Sequence, residues 1–279
     1  MKKLFYLLAF FTVIFNSCTS EDEEIQGDLI TKMKFVGSNF NDSYENHEFN
    51  LEYIDGNKLV RIIDIESDKK EFHYTGDLIT KIDVWKFWNG SDLEFERSIY
   101  LEYDTEQRLI NIKIDEGDNN DVDQIIEFDY IDDNNANYTH HYENNLSGYG
   151  TVTFNEDDVI KRLDNNWSLG QPDRKEITYN YDDKKHPYTG IKGFKKLKLF
   201  NAFYGSIYYL SHNINDDYGF APNWGTTKNV ISTTIRSGNN LENTVTIPLF
   251  SYEYGNNNLP TKSNKINGGT NTQIICTYN

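Results

Sequence analysis

The sequence predicts an all-β protein: a large curved antiparallel meander of repeated hairpins, open or closed into a barrel. One or two short helices are inserted near residues 191–211. Three observations predict this. The stretch Asp77-Leu78-Ile79-Thr80-Lys81 repeats the earlier Asp28-Leu29-Ile30-Thr31-Lys32, and weaker copies recur along the chain. The composition is rich in strand formers, with 20 Tyr and 17 Phe against 2 Met. Helical spacing of apolar residues occurs in one stretch, and alternation dominates elsewhere.

The repeating unit is an aromatic strand, a polar turn and an aliphatic return strand. Leu51-Glu52-Tyr53 turns through Asp55-Gly56-Asn57 and returns as Leu59 to Ile63. Phe72-His73-Tyr74, Thr75-Gly76-Asp77 and Leu78 to Ile82 form the next copy, and Tyr100 to Ile112 and Val152 to Leu163 two more. Tyr252-Glu253-Tyr254 starts a last copy whose return, Leu259-Pro260-Thr261-Lys262, is degenerate. Gly with Asp or Asn between alternating runs marks a hairpin, because these residues reach the positive φ of tight turns. Simple alternation puts Leu78, Thr80, Ile82 and Val84 on one face and Lys81 and Asp83 on the other. Lys113-Ile114-Asp115 lies one residue further from its turn, which predicts a bulge there. Copies are spaced irregularly, so the pattern is a meander rather than a fixed-period solenoid.

Further strands are expected at Ile125–Phe128, Tyr138–Tyr142, Ile177–Tyr181, Val230–Ile235, Thr244–Leu249, Ser251–Tyr254 and Gln273–Tyr278. Asp115–Asp123 and Asp132–Asn137 read as acidic, Asn-rich loops. From Ile191, the residues Phe194, Leu197, Phe200, Phe203, Ile207 and Leu210 recur at three- and four-residue spacing.

The first residues are a leader. Met1-Lys2-Lys3 followed by Leu4 to Phe15 is a basic region and an apolar run too short to span a bilayer. Ser17 before Cys18 resembles a lipobox, with Asn16 departing from the stricter form. We therefore expect residues 1–17 to be a lipoprotein signal peptide, Cys18 to be the lipidated residue, 18–26 an acidic tether, and 27–279 a single β-repeat domain. The run Glu21-Asp22-Glu23-Glu24 behind Cys18 resembles the surface-export signal of Bacteroidota lipoproteins and also suits a solvated tether.

The chain carries a net charge of −17, or −19 once the two lysines of the leader are removed. That charge repels phosphate backbones, so nucleic acid is not an expected partner. Anchoring to a membrane falls to the lipid on Cys18, since an acidic surface does not adhere to anionic bilayers. With Cys18 lipidated, Cys276 stands alone, and its alternation with Ile274 and Tyr278 reads as a buried small hydrophobe.

No P-loop, nucleophile-elbow or zinc-protease pattern occurs, and no cofactor, metal or catalytic residue is expected. His140 and His141 are adjacent on a strand, so they face opposite ways and cannot hold one metal. Asp118–Asp123 and Asn213–Gly219 resemble calcium loops but lack the required ligand order. Trp85, Trp88, Trp167 and Trp224 are the ligand-binding candidates, because exposed aromatic platforms stack against sugar rings. Large aromatics equally plug cores and their ends. Lys184, Lys185, Lys192, Lys195, Lys196 and Lys198 form a basic cluster that either receives an acidic partner or is a solvated helix face.

The lipoprotein start, the aromatic-turn-Leu-Ile-x-Lys-Ile hairpins and the element Tyr179-Asn180-Tyr181-Asp182-Asp183-Lys184-Lys185-His186-Pro187-Tyr188 together carry a family resemblance. The chain resembles Bacteroidota lipoproteins of unknown function with a porin-like β fold (the DUF4595 type), whose repeats are similar to the YD repeats of Rhs-type proteins. The resemblance covers nearly the whole mature chain. It implies a large curved, barrel-like sheet on the cell envelope, and it implies no activity and no catalytic residues.

The expected function is a surface-exposed, outer-membrane-anchored binding or scaffold lipoprotein with a glycan, peptide or envelope protein as ligand. The alternative is an exported polysaccharide hydrolase, which needs two carboxyls about 5–10 Å apart in a cleft. The apolar strand faces read as short and the turns as long on both sides, so the domain is expected to be water-soluble rather than a membrane barrel. Cys18→Ala is expected to abolish palmitate labelling and to release the protein from membranes. Labelling that survives the substitution would contradict the lipobox reading.

Overall fold

The structure is a computed structural model and describes residues 28–36, 47–64, 68–87, 93–117, 123–142, 145–165, 174–204, 225–266 and 273–279. Cys18 and the signal peptide lie outside these residues. In chain order the first strands are β1 (Ile30–Val36), β2 (Glu48–Ile54), β3 (Lys58–Ile63), β4 (Asp68–Thr75), β5 (Leu78–Phe87) and β6 (Leu93–Tyr103). Next come β7 (Leu109–Asp115), β8 (Gln124–Asp132), β9 (Asn135–Tyr142), β10 (Asn145–Phe154), β11 (Val159–Asn165) and β12 (Lys175–Lys185). A 3-10 turn (Phe194–Leu197) runs into α1 (Lys198–Tyr204), and β13 (Lys228–Ser237), β14 (Asn243–Pro248), β15 (Phe250–Tyr254), β16 (Pro260–Lys265) and β17 (Gln273–Tyr278) follow. The degenerate return Leu259–Lys262 is thus part of a regular strand, and the loop expected over Asp132–Asn137 shrinks to a tight turn.

Apart from β14 and β15, every strand pairs antiparallel with its sequence neighbours, and β1 pairs with both β2 and β17, which brings the meander back to its start. The ring passes through β14 and β15 as one strand broken at Leu249. β14 pairs with β13 and β15 with β16. Leu249 bridges the two, its N–H donating to Ile231 O and its carbonyl accepting from Ile266 N, both at 2.9 Å.

The hairpins share one irregularity. In β2–β3, β4–β5, β6–β7, β10–β11 and β15–β16 the pairing slips near the turn, so that Val60, Thr80, Ile110, Ile160 and Thr261 are each passed over. The bulge predicted for one copy is therefore a property of the repeat. It also corrects the facing of the return strand. Ile79 is fully buried and Leu78 only half-buried, and Thr80 turns away from the buried face while Ile82 and Val84 keep it. Gly56 and Gly76 sit in the turns at φ of 85° and 61°, as the turn chemistry requires.

A second regularity lies between hairpins. The ladders joining them stop short of the turn end: β1–β2 at Lys32↔Asn50, β3–β4 at Arg61↔Glu71, β5–β6 at Lys81↔Tyr100, β7–β8 at Asn111↔Glu127. The same holds for β11–β12 at Lys161↔Thr178 and β16–β17 at Lys262↔Ile275. A tyrosine hydroxyl then reaches the carbonyl lying just past each ladder. Tyr53 donates to Ile30 O (2.6 Å), Tyr74 to Leu59 O (3.2 Å), Tyr103 to Ile79 O (2.8 Å) and Tyr130 to Leu109 O (3.1 Å). Tyr181 donates to Val159 O (2.6 Å), Tyr252 to Val230 O (3.1 Å) and Tyr278 to Pro260 O (2.7 Å). Phe154 holds the equivalent place in the β10–β11 hairpin; without a hydroxyl, it packs edge-on against Tyr130. Burial raises all seven phenols well above their ordinary pKa, so they remain donors.

The concave face of the ring is the core, and the helical segment fills it. Phe194, Leu197, Phe200 and Phe203 are all at most 1% exposed. Phe194 packs on Phe72 of β4, and Phe203 on Phe128 of β8 and Tyr138 of β9. The predicted helix is therefore a plug inside the sheet. It enters at Gly193, where φ is 80° and an added Cβ would sit 2.6 Å from Asp77 O, so a side chain fits neither the backbone nor the space.

The outward face is charged around the ring. Ion pairs join Lys32–Glu48, Arg61–Glu52, Arg61–Glu71, Lys81–Asp83, Lys113–Glu102, Lys161–Glu176, Arg236–Glu176 and Lys262–Glu253. The expectation that turns are long on both sides is wrong: the tyrosine end carries short turns, as at Gly76-Asp77 between β4 and β5. Strand length does not argue against a membrane barrel either, since β6 and β12 have 11 residues. Outward charge does, because each basic residue on a lipid face costs about 2–4 kcal/mol at the bilayer midplane.

Tyr103→Phe removes the donor to Ile79 O and is expected to lower the unfolding free energy by about 1–3 kcal/mol. Urea denaturation with an unchanged midpoint would show that the tyrosine row does not bear on stability.

Candidate functional site

At the turn end the hairpin tips and the entering plug enclose a cleft of about 860 Å³. The tips contribute Asp55, Asn57 and Lys58 (β2–β3), Asp77 (β4–β5) and Asp157 (β10–β11). The end of β12 contributes Asp183, Lys184 and Lys185, the entering chain Thr189–Gly193 and Lys195, and the start of β13 Thr227 and Lys228. The wall is stitched by hydrogen bonds: Lys192 N donates to Asn57 O at 3.0 Å, His186 N to Thr227 O at 2.8 Å, and the Asn57 side-chain Nδ2 to Gly190 O at 3.2 Å.

The lining holds six lysines and four aspartates, so the cleft is locally basic in an acidic chain. Lys58 and Lys192 share Asp77 at 3.4 and 3.3 Å, Lys195 reaches Asp157 at 3.1 Å, and Lys184 reaches Asp183 at 3.5 Å. Desolvation pushes the Asp77 carboxyl up, but hydrogen bonds and charge from Lys192 and Lys58 more than reverse this and hold it below its ordinary value. An anion so held is no proton donor. Asp158, whose pKa is raised by burial, lies behind the cleft with its oxygens taken by Thr227 N (2.7 Å) and Thr227 Oγ1 (3.2 Å). No carboxyl pair here matches the acid and nucleophile of a glycosidase.

Of the tryptophan candidates, Trp85 is the one described, and it does not line this cleft. Trp85 faces outward, half-buried, with the Lys69 ammonium 3.6 Å from its ring centroid and Phe95 edge-on at 5.8 Å. Trp88, Trp167 and Trp224 lie outside the described residues, as do the loop 213–219 and most of 118–123. Of the basic cluster, Lys184, Lys185, Lys192 and Lys195 line the cleft, whereas Lys198 is tied to Asn155 O and Glu156 O at 2.9 and 3.1 Å. Sequence reasoning missed Lys58, Lys228 and the aspartates, which come from separate hairpin tips. The Asp-Gly turn pairs were the available signal for acids at those tips.

Two other clusters have chemistry-bearing side chains. On the outward face Asp83 accepts from Ser98 Oγ and pairs with His73 Nε2 at 2.7 Å and Lys81 at 2.8 Å. These are the residue types of a triad wired differently: the serine proton goes to the carboxylate, leaving the histidine no nucleophile to activate. Inside the ring, Arg162 and Asp164 pair at 2.7 Å, both at most 1% exposed, with Tyr138 OH on Asp164 at 2.6 Å and Phe203 under the guanidinium. Such a fully buried pair is a structural commitment, costly to break by halves. His140 faces inward near Gln124 and His141 outward toward Glu127, as alternation predicts. Cys276 lies in the core, its thiol pushed up to about 12 by burial. Among the described residues, no group of His, Cys, Asp or Glu has the geometry of a metal site.

No family model matches the chain, and no curated protein matches it. Two solved structures are similar over most of its length. A porin-like protein from Bacteroides vulgatus is 13% identical, with 91% of this chain and 99% of that one covered and a TM-score of 0.43. A porin-like protein from Bacteroides uniformis is 12% identical, with 90% and 96% covered and a TM-score of 0.38.

The buried histidines set a pH dependence. Burial, then the charges of His141 and Arg162, lowers the His140 pKa from 6.5 to about 4, and burial lowers that of His186 to about 3. Both are neutral when folded, so the stability they contribute is complete above about pH 6.5 and is lost as the pH falls toward those values. We expect the unfolding free energy to drop by about 1.4 kcal/mol per pH unit for each histidine within that window. His140→Gln should flatten the profile between pH 6 and 4; a variant with the parental slope would contradict the assignment.

Proposed function

We propose that the protein is a non-enzymatic binding module of the bacterial cell envelope, tethered by lipid on Cys18, with the turn-end cleft as its ligand site. The observation that carries this is the inside-out character of the ring relative to a membrane barrel. Its outward face is laced with ion pairs, and its concave face is apolar and filled by the plug. A wall of that kind faces water, and among the described residues the plug packs directly onto the concave face. The cleft is a recess open to a ligand. The leader and Cys18 supply a reason for a water-facing barrel to stay at the envelope, since a diacylglyceryl group provides the two chains that stable anchoring needs.

The hydrolase reading is not favoured. The cleft aspartates are held as anions by lysines, and the tryptophan that is described lies on the outer wall. Residues 19–279, expressed without signal or lipid, are expected to be folded, β-rich and monodisperse in buffer without detergent. A requirement for detergent to remain folded would overturn the proposal.

A further inference from the structure

We propose that Lys185 and Lys228 form the seat for a single anionic group, a carboxylate, phosphate or sulfate carried on a small hydroxylated ligand. The inference rests on reading the cleft as the ligand site and names the chemistry that site takes. Lys185 and Lys228 are direct cross-strand partners in the β12–β13 ladder, and both line the cleft. Directly opposed side chains on paired strands lie about 4.5–5.5 Å apart at Cβ, and like charges so placed repel. The other four lysines of the cleft each pair with an aspartate, whereas neither Lys185 nor Lys228 is ion-paired among the described residues.

The opposition is built by a large irregularity in the ladder. Between Tyr181↔Val230 and Lys185↔Lys228, three residues of β12 face one of β13. That one is Asn229, fully buried, whose side-chain amide donates to Asp182 at 3.2 Å and to Lys185 O at 3.1 Å. Tyr254 OH also donates to Asp182. The bulge is pinned from inside, which fixes the register that sets Lys185 opposite Lys228 at the cleft. An oxyanion between them relieves the repulsion and gains two charge-assisted hydrogen bonds. Asp55 is a lining carboxylate without an ion pair among the described residues, which leaves an acceptor for a ligand hydroxyl. The chain's charge of −17 repels a polyanion and tolerates one anionic group.

The test is titration calorimetry of the full-length lipoprotein with inorganic phosphate, sulfate, galacturonate and, as the neutral counterpart, galactose. At least one anion is expected to bind, more weakly as salt is added, and which anion binds separates an acidic sugar from a free inorganic oxyanion. Lys185→Met combined with Lys228→Met should weaken that binding by about tenfold or more, while Lys113→Met on the outer wall should leave it unchanged. Lys228→Glu provides a variant that does not depend on tolerance of two substitutions. It supplies Lys185 with a partner, so it should raise the melting temperature while abolishing anion binding. Anion binding unchanged in both variants, or no binding of any of the three anions, would overturn the seat. Galactose and galacturonate binding alike would also overturn it and would leave the cleft standing as a ligand site. The binding-module reading itself fails separately, through a detergent requirement.

Discussion

The hydrogen bond from a tyrosine hydroxyl to a carbonyl of the preceding return strand is the constraint on which the rest of this fold depends. The hairpins carry a bulge near the turn, and the ladders between them, β9–β10 excepted, end before that turn is reached. A carbonyl is thereby left past the end of each of these ladders. A buried carbonyl without a donor is costly, and the aromatic strand of the next hairpin supplies one. Seven such bonds, from Tyr53 to Tyr278, hold the turn end together where backbone pairing stops. The turn end can therefore admit the plug and shape a cleft without exposing unpaired backbone.

Much of this was legible in the sequence. The alternation of aromatic and aliphatic strands, the Gly turns and the helical row from Phe194 to Phe203 each follow from local periodicity, and each is present. What was not legible follows from the same physics. The bulge at Thr80 moves Ile79 rather than Leu78 into the core, and alternation has no term for an added residue. The tyrosines looked like strand formers, yet their hydroxyls act between hairpins some twenty residues apart. The cleft was visible only as half of a lysine cluster, because its other members arrive from hairpin tips spread from Asp55 to Lys228. Trp85, chosen by residue type alone, lies on the outer wall away from it.

The orientation of the sheet connects architecture to function. A membrane barrel and a water-borne one share alternation and strand length, and the sign of the face separates them. Here Arg61, Lys113 and Arg236 point outward in ion pairs while Ile82, Ile112 and Phe128 point inward onto one another and the plug. The plug packs onto the concave face, and the cleft lies at the rim. There the chain's acidity is locally reversed, and two lysines face each other at the cleft.

The central claim, a water-facing wall around an apolar core, is tested most directly by thiol accessibility of the full-length chain in intact cells and isolated envelopes. Lys113→Cys and Thr178→Cys place thiols at outward positions on β7 and β12, and Ile112→Cys places one inward. Cys276 contributes little background, being buried with its thiol pushed up to about 12. With a membrane-impermeant maleimide, the account predicts rapid labelling at 113 and 178 and none at 112. Protection of 113 and 178 by lipid, with 112 labelled from an aqueous lumen, would contradict it.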